Sequence, residues 1–419
     1  MFSSMGRIQR SSARMSLVAV LLGLAVLLPG AAGAQTWQTL LDDSASLASW
    51  SHMTAFNDGS AALVSRDYLP GYTGAGVFFR KLQGGSWSSP ERIDGGLPTY
   101  NGRTAEVMGR VFVGSANKSS LGAAPVVVII SARYSRAILD ADGLMYALFV
   151  KSWNGSSWSA WTRITPVGIV NDVSADVDGQ GRVWYTWNDG DNLTNGQYRL
   201  SSYDLATACS GAVHTLDSAS RTLTWRSTSL VIAPDAIWVT YRAPDGIYAR
   251  RLANQGAGPL GPRLSVQLGF PSGQMSAWVD GTLWVTTESP LRLYRMSSSG
   301  SFIQEAIGGL TSYYEETESS IESIDHYLPV VAQRPGSGLV LIAARQYHFE
   351  DWNDSTNDFD ESSLVAVERS SAGVWSGPVT LDSDESWSEI GNAASTSAAG
   401  LFIGGTKSSG AVFVLRRLP

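Results

Sequence analysis

A strand–turn–strand unit recurs along this chain. A repeated unit that cannot bury both of its faces alone constrains the fold more than any other feature. Its outer form is clearest in three places. Val77-Phe78-Phe79-Arg80 leads through Gly85 to Trp87 and Ile93, residues 146–150 lead through Gly155 to Trp158 and Ile164, and residues 364–368 lead through Gly373 to Trp375 and Leu381. Weaker copies cover 198–216, 247–264 and 291–307. An inner hairpin lies between these units. Ser174-Ala175-Asp176-Val177-Asp178-Gly179 turns into Val183-Trp184-Tyr185, and Ser276-Ala277-Trp278-Val279-Asp280-Gly281 turns into Leu283-Trp284-Val285. Related strands end at 62–65, 128–131, 237–240, 339–344 and 401–404. Short β-branched and aromatic runs punctuated by Gly, Asn, Asp and Ser read as strands and hairpins, with no sustained helical period.

The copies number seven inner hairpins but six complete outer ones, and the termini supply the missing pair. Val412-Phe413-Val414-Leu415-Arg416 matches an outer hairpin's first strand, and Trp37-Gln38-Thr39-Leu40-Leu41-Asp42 matches its second. Pairing them leaves no unit incomplete and removes an exposed sheet edge. The expected fold is therefore an all-β, seven-bladed β-propeller closed by its terminal strands, with six or eight blades as the neighbouring counts. Trp184, Trp238, Trp284 and Phe402 share one repeat position and are expected between blades, as large rings filling the wedge, rather than in a binding site.

Residues 1–34 read as a secretory signal peptide. Arg7, Arg10 and Arg14 precede an apolar run over 17–28, and Ala32-Gly33-Ala34 offers small residues for cleavage, making Gln35 the first mature residue. A retained N-terminal anchor is the alternative, but the run is short of the roughly 20 apolar residues of a span, and no later segment approaches that length. Residues 35–419 are then expected to form a single domain. The apolar share of 44% is ample for a core, and the formal charge of −7 argues against nucleic acid or an anionic membrane surface as partner. Cys209 is the one cysteine, so no internal disulfide forms, and a small buried hydrophobe is its expected role.

The turns Gly85-Ser86-Trp87, Gly300-Ser301-Phe302 and Gly373-Val374-Trp375 lack the turn aspartate but otherwise resemble degenerate Asp-box (BNR) repeats of secreted sialidase-like propellers. The segment from Trp153-Asn154-Gly155 to Trp161 is similar to the Trp-rich turns of seven-bladed bacterial lectins. The resemblance implies a sugar-facing propeller more than any one reaction.

Loops that enter the innermost strands and leave the second strands share one face of such a fold. Aligning the ends of the second strands puts Asp67, Arg133, Asn188, Arg242, Glu288, Arg345 and Thr406 at equivalent positions, and Asp172 is among the residues that begin the inner strands. Arg133, Arg242 and Arg345 would grip the carboxylate or sulfate of an acidic glycan with bidentate geometry. Ion pairing of each arginine with an acidic neighbour, such as Glu288 or Asp67, is the competing expectation.

Two insertions, around 313–327 and 348–361, read as long acidic loops on this face. Tyr327, Glu316 and His326 are the catalytic candidates there, because a carboxylate beside Tyr or His can act as acid or base. Clustered carboxylates also offer the oxygen ligands Ca²⁺ takes, although the spacing matches no EF-hand and no metal site is assigned. Tyr68, Tyr72, Tyr100, Trp225, Tyr313 and Trp352 are candidates for stacking on a sugar ring. Three functions stay open: a secreted binder of carbohydrate or glycoconjugate favouring acidic glycans, a sialidase-like glycosidase or polysaccharide lyase, and a cell-surface interaction scaffold without a small-molecule site.

Overall fold

The computed structural model describes residues 37–419 apart from 73, 135–144, 191–195, 219–227, 254–255, 270–273, 289, 318, 384–386 and 397–398. The segment 1–34 and Trp225 lie outside the described residues. The described chain is all-β and folds into seven antiparallel sheets of four or five strands. In sequence order, sheets one to six span 50–92, 105–163, 171–218, 228–268, 274–305 and 313–383. Sheet seven combines Trp387–Thr396, Gly400–Lys407 and Val412–Arg417 with the N-terminal strand Trp37–Asp43. Trp37 pairs with Arg417 and Asp43 with Val412, so the two ends of the described chain share one sheet.

In sheet five the tight inner turn follows from local residue choice. Asp280 and Gly281 both adopt left-handed φ values, 46° and 76°, and connect Val279 to its partner Thr282. Two such residues make a hairpin turn whose twist matches that of the strands, which a β-branched pair could not do. The second strands are near-continuous apolar runs because both faces are covered; Gly400–Lys407 is buried at every position.

Seven hydrophobic clusters fill the seams between consecutive sheets, and one of them joins the last sheet to the first. In that seam Phe402, Val412 and Val414 meet Met53, Ala61 and Leu63. Trp184, Trp238, Trp284 and Phe402, all at most 4% exposed, lie in four different seams, each facing the following sheet. The first strand of sheet one, Trp50–Ala55, neighbours those of sheets two and seven, Ala105–Ser115 and Trp387–Thr396. Glycine permits one of these approaches: a Cβ on Gly391 would lie 2.0 Å from the Ser51 carbonyl oxygen.

First strands are edge strands, and several of their outward N–H groups are satisfied by the preceding sheet. Met53 N–H donates to Asn392 Oδ1 (2.8 Å), Val113 N–H to His52 Nδ1 (3.2 Å), Leu230 N–H to Ser174 Oγ (3.0 Å) and Ser276 N–H to Ser229 Oγ (3.1 Å). Small polar residues thus supply at the seams what a neighbouring strand supplies inside a sheet. A cavity of about 260 Å³ is lined by one strand from each of the seven sheets, the first strand in six of them and Ser320–Gln333 in sheet six.

Two expectations change. Cys209 is exposed, not buried: Ala208 turns at φ 56°, and Cys209–Ser210 forms a short strand at the outer rim of sheet three. The two acidic insertions are not loops. They lengthen three strands of sheet six, Ser320–Gln333, Leu339–Asp351 and Phe359–Arg369, and add a fourth, Tyr313–Glu316, to make a projecting β arm. Alternation of Arg345, Tyr347 and Phe349 with Gln346, His348 and Glu350 gives that segment the two-residue period of a strand.

Candidate functional site

Strand register decides which of the expected residues can act together, because a shift of one residue turns a side chain to the opposite face. In sheet two, Val127 and Ile129 pack toward sheet three, so Arg133 continues that face. In sheet four, Trp238 packs toward sheet five, and Arg242 continues it. Arg345 differs. Leu341 packs toward sheet five while Ile342 and Ala344 pack toward sheet seven, so Arg345 faces the preceding sheet rather than the following one. Asp67 is out of step in the same way, since Ala62 and Val64 face sheet two and Arg66 continues that face. Arg133, Arg242 and Arg345 are therefore not one repeat position. The position shared with Arg133 and Arg242 holds Arg66, whose Nε donates to the Val107 carbonyl of sheet two at 3.0 Å.

Several expected binding residues spend their polar groups on their own backbone. Asp67 is fully buried and accepts from the Ser46 hydroxyl and from Leu47 N–H at 2.8 Å, pinning the segment that enters sheet one. Burial nevertheless raises its carboxyl above the usual range, against those hydrogen bonds. Asn188 is also fully buried and accepts Gly190 N–H at 2.8 Å, closing the turn after its strand. Asp172 sits at φ 47°, with its carbonyl accepting from Thr228 Oγ1. Glu288 is half-buried in the turn after Thr282–Thr287. Arg133 approaches Glu106 at 3.8 Å, and Arg242 is 8% exposed, with burial pulling its guanidinium below the usual range against the influence of Tyr198.

The catalytic candidates are also divided. Pairing of His326 with Arg345 puts both on the arm face directed toward sheet five. Tyr327 and Glu316 lie on the opposite face. Tyr327 is half-buried there, and burial raises its phenol against the influence of Trp387 and Ser362. Glu316 pairs with Ile321, five residues from His326, or about 17 Å along a strand. Its carboxylate accepts from Tyr314 Oη at 2.8 Å.

The sheet-five face of the arm brings Tyr313, Arg345 and His326 together with Glu322, Tyr347 and Phe359, of which the last two were not singled out in the sequence. Tyr313 and Tyr347 both donate to Glu322 Oε1, the latter at 2.8 Å, and these two bonds hold the Glu322 carboxyl below its usual range. The same bond pushes the Tyr313 phenol up to about 12. Phe359 stands 5.2 Å from Tyr347 and 5.6 Å from Phe349, ring to ring. Arg345 and His326 lie at the base of this face. His326 is 5% exposed, approaches the Ser312 hydroxyl at 3.2 Å, and is lowered to about 4 by burial and by the Arg345 charge. Exposed Tyr313 and Phe359 beside a carboxylate and a guanidinium make a surface able to stack on a ring while hydrogen-bonding its edges.

At the arm tip the acidic residues cap their own turn. Asp358 accepts Asp351 N–H at 2.7 Å, and Asp354 accepts Thr356 N–H at 3.1 Å at the start of the 3₁₀ turn Ser355–Asn357. Among the described residues no three His, Cys, Asp or Glu side chains gather as a metal-binding group.

No protein-family profile matches the chain, and no curated protein does. Among solved structures, a Penicillium chrysogenum alpha-L-arabinanase complexed with arabinobiose is 13% identical over 76% of this chain and 99% of its own, with a TM-score of 0.43. A polysaccharide lyase, an ulvan lyase, is 11% identical over 92% of this chain and 96% of its own, at a TM-score of 0.46. A structure described as the Dos1 propeller is 9% identical over 91% and 94%, at 0.43.

Proposed function

We propose that residues 35–419, exported after removal of 1–34, form a seven-bladed β-propeller closed by its terminal strands that binds carbohydrate, with acidic glycans preferred. Support for the ring comes from seven sheets, seven seams that include one between the last and first sheets, and a cavity lined by one strand from each sheet. The observation that carries the binding reading is the sheet-five face of the arm, where Tyr313, Tyr347, Phe359, Glu322 and Arg345 lie together. Aromatic faces suit the apolar side of a pyranose, Glu322 can accept from its hydroxyls, and Arg345 can pair with a uronate or sulfate. A glycan array tests this. Retention of uronate or sulfated glycans, lost in Tyr313→Ala and weakened at least tenfold in Glu322→Gln, supports it, and retention of no glycan overturns it.

A second reading is polysaccharide cleavage by β-elimination, favoured by the Tyr347–Glu322 bond beside Arg345. Arg345 would neutralise the uronate carboxylate while the Tyr347 oxygen takes the C5 proton, passing its own phenolic proton to Glu322; burial and the Glu322 carboxylate raise the phenol, so it starts protonated. The electron pair forms the C4–C5 double bond as the C4–O bond breaks, and the departing oxygen takes up a proton. Ultraviolet absorbance of the unsaturated product, lost in Tyr347→Phe, would support it; a uronate polymer left intact excludes it.

A further inference from the structure

The cavity lined by one strand from each of the seven sheets has its own chemistry, separate from the arm. His52, Arg110 and Lys118 line it together with Thr54, Asp176 and Glu389. His52 is held in one orientation: its Nδ1 accepts Val113 N–H at 3.2 Å, and its ring meets Phe112 edge-on at 5.4 Å. An accepting Nδ1 leaves the proton of the neutral ring on Nε2, as a donor. Burial and the charges of Lys118 and Arg110 lower the ring to about 3, so it is neutral at physiological pH.

The surrounding groups leave a surplus of donors. Lys118 gives one hydrogen bond to Thr54 Oγ1, and the Arg110 guanidinium lies 5.2 Å from the centre of the Trp50 ring. The guanidinium carries five N–H donors and the Lys118 ammonium three, although burial lowers that ammonium from its usual range against the pull of Asp176. The two carboxylates already take backbone donors: Asp176 accepts Val177 N–H at 2.7 Å, and Glu389 accepts Ser51 N–H at 3.2 Å. Burial also raises the Asp176 carboxyl, against the pull of Lys118, which reduces its ability to neutralise the cations. Serine and threonine hydroxyls complete the wall, among them Ser51, Thr228 and Ser276. A ligand rich in acceptors, negatively charged at one end and hydroxylated elsewhere, satisfies this set.

We propose that the cavity is a binding site for a small hydroxylated carboxylate of the sugar-acid class, its carboxylate held by Arg110, Lys118 and the Nε2–H of His52. The site does not depend on the arm, and a polymer chain bound at the arm need not enter it. The chain has four histidines, so ring resonances of histidine-labelled protein report on it directly. Titration with D-glucuronate is expected to shift His52 to saturation while His348, on the arm, stays in place. Affinity should fall at least tenfold in Arg110→Gln and in Lys118→Met, with the urea midpoint of each variant measured alongside to separate lost binding from lost folding. No saturable His52 shift overturns the proposal. So does an equal shift with D-glucose or chloride, or wild-type affinity in both variants. Glycan retention by Lys118→Met equal to wild type separates this site from the arm.

Discussion

Asn392 and Met53, 339 residues apart, grip one another by two hydrogen bonds of 2.8 Å: Met53 N–H donates to Asn392 Oδ1, and Asn392 Nδ2 donates to the Met53 carbonyl. The side-chain amide acts as a short piece of β ladder between the first strands of sheets seven and one. Gly391 makes this possible, since any side chain there would collide with the Ser51 carbonyl.

Replacing Asn392 by alanine strands a backbone donor and a carbonyl in a seam with little room for water. The expected loss is about 1–3 kcal/mol, read from urea denaturation. Asn392→Asp keeps the acceptor and loses the donor, so it should fall between alanine and wild type at neutral pH.

A buried charge cluster ties sheet six to the C-terminal strand. Glu368 is 3% exposed and is bound by Arg417 through Nε and Nη2, the latter at 3.0 Å, with Arg334 Nε at 2.8 Å. Removing the carboxylate leaves two cations facing one another. Glu368→Ala should cost about 3–5 kcal/mol, while Glu368→Gln, which keeps the shape and one acceptor, should cost less. Thermal melts of the two variants check the order.

Register was legible where patterns were strong and illegible where only polar residues marked it. The inner hairpins announce themselves because both faces of their second strands are apolar, and the pairing of 37–42 with 412–416 follows from matching halves of one repeat. At strand ends the apolar pattern stops, and nothing in Ser65-Arg66-Asp67 tells which residue faces the following sheet. That ambiguity put Asp67 and Arg345 in register with Arg133, one residue out of step. The arm escaped notice because its strands carry Glu, Asp and His on one face, a composition usual for loops, although Tyr347, Phe349 and Phe359 alternate as strand residues do. The hydrogen bonds from Asn392, His52, Ser174 and Ser229 to neighbouring first strands have no sequence signature at all, since the partners are tens to hundreds of residues apart.

Acid should destabilise the fold through its histidines. The folded-state values of His52 and His326, about 3 and about 4, lie below the unfolded value near 6.5. Between those limits the unfolded chain binds more protons, so stability is complete above about pH 6.5 and is lost as pH falls toward 4. Asp67 and Asp176, both raised by burial, act in the opposite sense. Comparing wild type with His52→Gln isolates the histidine contribution: the variant's midpoint should vary less between pH 6.5 and 4. An identical slope would mean that His52 does not contribute.

Shortening the arm tests whether it is an appendage. Its paired strands beyond Tyr327 and Ala344 hold few of the seam residues, which cluster between 330 and 344. Replacing 313–325 and 347–361 by tight turns should leave the melting temperature within a few degrees and abolish glycan retention. Wild-type retention by this variant would place binding elsewhere.

The most direct measurement is affinity electrophoresis through a gel containing a uronate polysaccharide, comparing wild type with Arg345→Gln and Arg133→Gln. Retardation of wild type and Arg133→Gln, with Arg345→Gln running freely, is the result expected if the arm face carries recognition. No retardation of any form, or equal retardation of all three, would contradict it.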